Sequence, residues 1–311
     1  MPIDLALLGC AHPHVPDLLG VVASEPDLRL VAAWDADRSA IPGPIAGTAV
    51  ARAETAIRRA DAVVICAPTD QRPALCSQAA RAGRPLLVEK PIGRTATEAR
   101  AVAHEVRRSR TPAMVALHLR QVPAVARLAA VIREGLIGRI SAVSASQAHP
   151  GALDGWFDGP VAWMRDRARA GVGGFGDLAF NLVDLLGTLP ADEPPRLAAV
   201  ALDRADGTDV GGTALGTWAG VPLTVHASWV ARPGGLELVV AGAGATAVLR
   251  GGTLELQREA GRPERWVGAP PDAGEALRAF AAALRSRRLP RDGLDVAVRA
   301  HETLEAAIRV G

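Results

Sequence analysis

The chain has almost no lysine: all but one of its 35 basic residues are Arg, and the exception is Lys90. It has one Asn, at position 181, and no Tyr. All three residue types have A/T-rich codons, so their scarcity reads as a GC-rich genome, and the places where one persists stand out. Arg cannot lose its proton inside a protein, whereas Lys can once its pKa is lowered, so Arg is no substitute wherever a proton must move. The three cysteines, Cys10, Cys66 and Cys76, have neither metal-ligand nor redox spacing, and their odd number suits a reducing cytoplasm. No apolar run reaches about 18 residues, which argues against a membrane-spanning helix. No Lys or Arg precedes Arg29, so the basic region of a signal peptide is missing. A formal net charge of +2 makes no electrostatic case for a nucleic acid or a membrane as partner. The reading is a cytoplasmic protein without a nucleic-acid or membrane partner.

What remains is ordinary globular material: 311 residues, 49% hydrophobic and 22% charged, long enough for two domains. Residues 3–8 form an apolar run ending at Gly9 and read as a buried strand. Residues 14–23 read as a helix, 28–34 as a strand ending at Asp35-Ala36-Asp37, and 61–67 as a strand stopped by Pro68. A helix over 73–82, a strand over 85–88, a helix over 95–108 and a strand over 112–117 follow. Strands alternating with helices imply parallel βαβ units and an α/β, doubly wound (Rossmann) sheet. The first strand-to-helix turn of such a sheet is the expected dinucleotide site, because helix N–H groups and the helix dipole can hold a pyrophosphate. Here the turn reads Gly9-Cys10-Ala11-His12-Pro13-His14 and keeps only the first glycine of the usual fingerprint. Asp35 lies 26 residues after Gly9, where a carboxylate can bind ribose hydroxyls; the alternative for Asp35-Ala36-Asp37 is a solvated turn. A carboxylate repels the 2′-phosphate of NADP, which favours NAD, and Arg38 leaves NADP open. His12 and His14 sit without a carboxylate or Cys cluster in sequence, so no metal is expected and the pair is read as lining the cofactor cleft or capping the helix.

The second half begins with a helix over 122–135. From 196 to 257 short strands separated by Gly or Pro turns read as an antiparallel meander with His226 and Trp229 on one strand. Residues 274–286 and 293–309 read as amphipathic helices. Segment 170–186 carries glycines at 171, 173, 174 and 176, expected to let the backbone approach a ligand, and then a helix from about Asp177 that is apolar nearly all round. Asp177, Asn181 and Asp184, spaced i, i+4, i+7, form one polar stripe on it. Buried polar groups need partners, and substrate hydroxyls with Lys90 are the expected ones; the alternative is that Asp177 caps the helix and Asn181 makes a structural hydrogen bond. His118, Arg120, His149, Trp156, Trp163 and Arg165 are further candidates, of which Arg120, His149, Trp163 and Arg165 are assigned to substrate.

Glu89-Lys90-Pro91 after a strand, Arg120 and Pro123 followed by EGLIGRI (134–140), and the segments 151–164, 170–186 and 295–311 together resemble the Gfo/Idh/MocA oxidoreductases. Segments 151–164 and 170–186 resemble a bacterial subgroup whose N-terminal turn also reads Gly-x-x-His-x-His. The resemblance implies a Rossmann domain, placed at 1–118, and an α/β domain with a large, open, mostly antiparallel sheet, placed at 119–311. It implies NAD(P), sugar-like or cyclitol-like substrates, and a homodimer or homotetramer formed through the outer face of the second sheet. Expected cofactor contacts are Gly9, Ala11, His12, His14, Asp35, Arg38, Ala67, Pro68, Thr69, Arg72, Glu89 and Lys90. In the resembled family a Lys, an Asp and a His share the proton chemistry; here these positions hold Lys90, Asp177 and Asn181, and Asn is neither acid nor base. The first expectation is hydride transfer with Lys90 as acid/base, Asp177 orienting it and Asn181 holding a substrate oxygen. Redox-neutral chemistry on bound NAD and a cofactor-binding sensor without turnover are the alternatives.

Overall fold

The computed structural model describes residues 2–191, 193–205, 207–288 and 293–308; residue 309 of the expected last helix lies outside them. Contacts group the chain into two units. The first comprises Met1–Leu117, Trp156–Gly171 and Ala273–His301, and the second His118–Gly155, Val172–Asp272 and Glu302–Gly311.

The first unit is a doubly wound α/β layer. Its elements are β1 (Ile3–Leu8), α1 (Val15–Ser24), β2 (Leu28–Trp34), α2 (Ala53–Arg59), β3 (Ala62–Ile65), α3 (Arg72–Arg81), β4 (Leu86–Glu89), α4 (Ala96–Arg108) and β5 (Ala113–Ala116). The five strands pair in parallel in the order β2-β1-β3-β4-β5. β3 and β4 are buried along their whole length, which is why they read as continuous apolar runs and not as alternating ones. α1 lays Val15, Leu18 and Val21 into a core with Leu5, Leu7, Val64 and Leu87. Leu277 and Phe280, from the late helix Glu275–Ser286, complete that core. α4 starts where the Thr95 hydroxyl accepts the Glu98 N–H at 3.1 Å, a side-chain cap for an otherwise orphan donor. β1 ends at Gly9, whose φ of +88° and lack of a Cβ are both required, since a Cβ there would run into the backbone of Ala67 just past β3.

The second unit starts with α5 (Pro123–Arg133) and β6 (Ile140–Ala148). After α6 (Arg167–Ala170), which belongs to the first unit, it continues with α7 (Gly174–Leu186), β7 (Arg196–Ala205), β8 (Thr208–Trp218), β9 (Val221–Ser228), β10 (Gly235–Gly242), β11 (Thr246–Arg250), β12 (Thr253–Gln257) and β13 (Glu264–Val267). The eight strands run β13-β12-β11-β10-β6-β9-β8-β7, antiparallel except for the β6–β9 pair. The meander expected from sequence is therefore interrupted: β6 inserts between β9 and β10. Its sequence, ISAVSASQA, hides this role, because only Val143 and Ala145 are fully buried. α7 packs on β6, β8 and β9 with every residue buried.

α7 begins at Gly174 and not near Asp177, because Asp209 on β8 accepts the Phe175 N–H at 2.9 Å and satisfies the first turn from outside the helix. The glycines around it serve the same packing. A Cβ at Gly173 would strike the Asp209 side chain, and one at Gly174 would lie 2.5 Å from the Val210 carbonyl. All four glycines expected to admit a ligand thus admit protein: 173 and 174 take β8, 171 takes Arg94, whose Cα would be 2.5 Å from an added Cβ, and 176 takes Val172, whose Cβ would be 2.8 Å away.

Gly9→Ala is expected to lose about 3 kcal/mol, the sum of overpacking and a left-handed backbone on a residue with a Cβ. Urea unfolding of the purified variant measures it, and a loss below about 1 kcal/mol contradicts the tight approach of the β1 and β3 ends.

Candidate functional site

Two polar clusters stand out, one in each unit. In the first unit the cluster gathers at the carboxyl ends of β1, β3 and β4, the edge at which open α/β sheets bind ligands. Lys90 follows β4 directly and is only 4% exposed. Its backbone N–H donates to the Glu89 carboxylate at 3.2 Å. Arg72, at the start of α3, is wholly buried; it donates to the carbonyls of Ala67 at 2.8 Å, Glu89 at 3.3 Å and Pro91 at 2.7 Å. Expected as a cofactor contact, it is committed to joining the turn after β3 to the turn that carries Lys90. Trp163, expected at the substrate, sends its indole N–H to the Ala11 carbonyl at 2.6 Å, with the Arg72 guanidinium 5.6 Å from its ring centre. Its segment is anchored nearby: the Asp70 N–H donates to Arg169 at 3.0 Å and Arg94 to Ala168 at 3.1 Å. Trp163 therefore fixes the shape of the first turn.

The histidine pair has the carboxylate that the sequence appeared to deny it. Glu89, 75 residues away, brings Oε1 to 2.9 Å from Nδ1 of His14. Ligand atoms of His12, His14 and Glu89 all lie within 4.8 Å of one another, a spacing that could hold a metal ion. The hydrogen bond of His12 is not that of a metal ligand, however. Nδ1 of His12 accepts the His14 N–H at 3.2 Å, whereas a ligating imidazole donates its second N–H outward. His14 is also the N-cap of α1. Burial alone would raise the Glu89 carboxyl, but His14, His12 and Arg72 outweigh it and hold it well below the usual carboxylate range. Burial holds His12 well below the ordinary imidazole value, with His14, Arg72 and Lys90 adding to the effect and Glu89 opposing it. Burial, helped by Asp35, pushes the Cys10 thiol up to about 12, so it is no thiolate nucleophile.

A dinucleotide fits the remaining groups. Thr69 Oγ1 is buried and without a hydrogen-bond partner among the described residues. Asp35 is tied into the turn: Oδ2 accepts the Cys10 N–H at 2.6 Å and Oδ1 the Asp37 N–H at 2.9 Å, leaving each oxygen a further lone pair. Arg38 is exposed three residues beyond Asp35.

In the second unit the stripe on α7 finds its partners inside the same unit. Asp177 Oδ2 accepts the Trp229 indole N–H at 3.0 Å. Asp184 accepts from Nε and Nη2 of Arg120, a two-point pair along one edge of the guanidinium that was expected at the substrate. Asn181 Nδ2 donates to Gln147 Oε1 at 3.0 Å, and Asn181 Oδ1 has no partner among the described residues. His149 accepts the Gly151 N–H at 3.0 Å, while Trp156 and Arg165 are exposed. Gln147, Asp209 and Trp229 are the residues sequence reasoning did not place at a site, since none stands in a motif.

Residues 10–117 match the family model described as "Oxidoreductase family, NAD-binding Rossmann fold", and residues 125–248 match the "GFO/IDH/MocA C-terminal domain". The chain belongs to the Gfo/Idh/MocA family. Inositol 2-dehydrogenase of Rhizobium meliloti is 34% identical over 194 residues, which is 60% of this chain and 56% of that protein. Levoglucosan dehydrogenase of Pseudarthrobacter phenanthrenivorans is 32% identical over 123 residues, 40% of this chain and 31% of that one. The matched stretches thus span from about a third to just over half of these Gfo/Idh/MocA relatives. The solved structure of a levoglucosan dehydrogenase with NADH and levoglucosan shares the fold, with a TM-score of 0.83 at 19% identity over 100% of this chain and 98% of that chain. No helix among the described residues is long and apolar enough to cross a membrane.

His12 gives a pH signature. Its folded pKa is depressed from the ordinary 6.5, so below that pH the unfolded chain binds a proton the folded chain refuses, and stability falls as pH drops. Between pH 6.5 and 5.5 the wild type is expected to lose about 1 kcal/mol more than His12→Asn, which keeps an acceptor for the His14 N–H. Urea unfolding of both proteins at the two pH values reads this difference; equal losses would show His12 to be as solvated as in the unfolded chain.

Proposed function

We propose that this Gfo/Idh/MocA protein transfers hydride between a nicotinamide cofactor, NAD with NADP open, and a hydroxyl or keto carbon of a sugar-like or cyclitol-like substrate. The observation that carries the reading is the chain's only lysine, buried at the carboxyl end of β4 in an NAD-binding Rossmann fold, with its turn held by Arg72. Relatives named inositol 2-dehydrogenase and levoglucosan dehydrogenase support the substrate class. In this reading Gly9, Ala11, His12, His14, Asp35, Arg38, Thr69 and Glu89 hold the cofactor, with Ala67 and Pro68 shaping the turn beside them. A bound nicotinamide supplies the hydride acceptor or donor. Lys90 takes the hydroxyl proton in oxidation and returns it in reduction. Asp177 and Asn181 bind substrate oxygens, and Asn181 carries no proton.

Replacement of Lys90 by Arg keeps the charge and removes the exchangeable proton. Lys90→Arg is expected to lower turnover about a thousandfold in an NADH-absorbance assay with inositol and levoglucosan. Turnover within tenfold of wild type ends the assignment of Lys90, and a wild type that binds NAD without turnover favours the sensor reading, to which a non-titrating Asn181 already points. The assembly is a homodimer or homotetramer through the outer face of the eight-stranded sheet. Light scattering on the eluting protein should give two or four chain masses, and a single mass removes that part of the reading.

A further inference from the structure

We propose that Gln147 and Asn181 act as a two-point clamp for neighbouring oxygens of a polyol, with Gln147 a specificity-determining residue. The inference deepens the proposed function and rests on it for the class of molecule. Gln147 sits near the end of β6, in register with Ala227 on β9 and Leu236 on β10, so its backbone is held from both sides. Asn181 stands on α7, which packs on β6, and is 3% exposed. One hydrogen bond joins the two amides, at 3.0 Å from Asn181 Nδ2 to Gln147 Oε1.

That bond uses half of what the pair offers. Asn181 Oδ1 is left as a buried acceptor with no partner, and Gln147 Nε2 is left as a half-buried donor that makes no other hydrogen bond among the described residues. Turning both amides about their last bonds exchanges the residues' roles and leaves the same complement, one free acceptor beside one free donor. A buried acceptor left unmet is costly, so a ligand that brings a hydroxyl there gains by satisfying it. Two neighbouring oxygens on a ring match the complement: one hydroxyl donates to the free carbonyl, and its neighbour accepts from the free NH2. The pair cannot titrate, so its contribution is recognition. On the neighbouring turns of α7, Asp177 accepts from Trp229 and Asp184 from Arg120. A site built from polar groups that must be met rejects analogues lacking the matching hydroxyl much more strongly than an apolar pocket rejects a change of size.

The test is calorimetric titration of the full chain, saturated with NADH, with inositol and levoglucosan as probes, on wild type, Gln147→Leu and Gln147→Glu. Gln147→Glu keeps the acceptor for Asn181 Nδ2 and removes the donor, and so separates clamp from packing. At least one probe is expected to bind wild type, and both variants to bind it about tenfold or more weakly, with NADH affinity and melting temperature unchanged. Failure of both probes to bind wild type, or equal affinity in wild type and Gln147→Glu, overturns the clamp. Binding that follows this pattern without NADH formation from NAD leaves the clamp standing and removes the dehydrogenase reading.

Discussion

A single guanidinium organises the first unit's ligand-binding edge. Arg72 reaches from the start of α3 to carbonyls on two separate turns, and those turns carry Thr69 on one side and Glu89 and Lys90 on the other. A wholly buried cation would be prohibitive alone. Its carbonyl acceptors and the nearby Glu89 carboxylate make it tenable, and Glu89 is kept ionised partly by it. Geometry and charge therefore depend on one another: the residue that places Lys90 also helps hold the anion next to it.

The second unit solves a different problem. An apolar helix lies flat on a sheet, and three of its residues are polar. Each is met by a side chain from the same unit: Trp229, Gln147 and Arg120. The helix comes this close because Gly173 and Gly174 have no side chain to hold it off β8, and Asp209 compensates by accepting the Phe175 N–H in the helix's first turn. One atom in this arrangement, Asn181 Oδ1, has no partner among the described residues.

Much of this was legible in the sequence, for physical reasons. Strands buried on both faces appear as apolar runs, so the Rossmann sheet could be traced from Ile3 to Ala116. The scarcity of Lys and Asn drew attention to Lys90 and Asn181. What stayed hidden depends on distant pairing. β6 is one of the two middle strands of its sheet but has small, polar residues, because it is covered by neighbours more than by its own apolar side chains. Gln147 on it had no motif to mark it. Glu89 and the histidine pair are 75 residues apart, so a reading confined to local sequence missed the carboxylate beside them. Glycine-rich loops are ambiguous in the same way: the absence of a Cβ says that something approaches closely, and at Gly173 and Gly174 that something is β8.

The core beneath α1 is completed by Leu277 and Phe280, and the turn at Ala11 by Trp163, so the Rossmann unit draws its last pieces from well beyond its own strands. During synthesis at roughly 5–20 residues per second, its five strands emerge long before the helix that covers them. A nascent chain stopped after β5 would carry exposed apolar surface where Ala276, Leu277 and Phe280 belong. The gene cannot be cut after the sheet to yield a stand-alone nucleotide-binding module, and the second unit's strands must be made, and kept from aggregating, before the first unit can close.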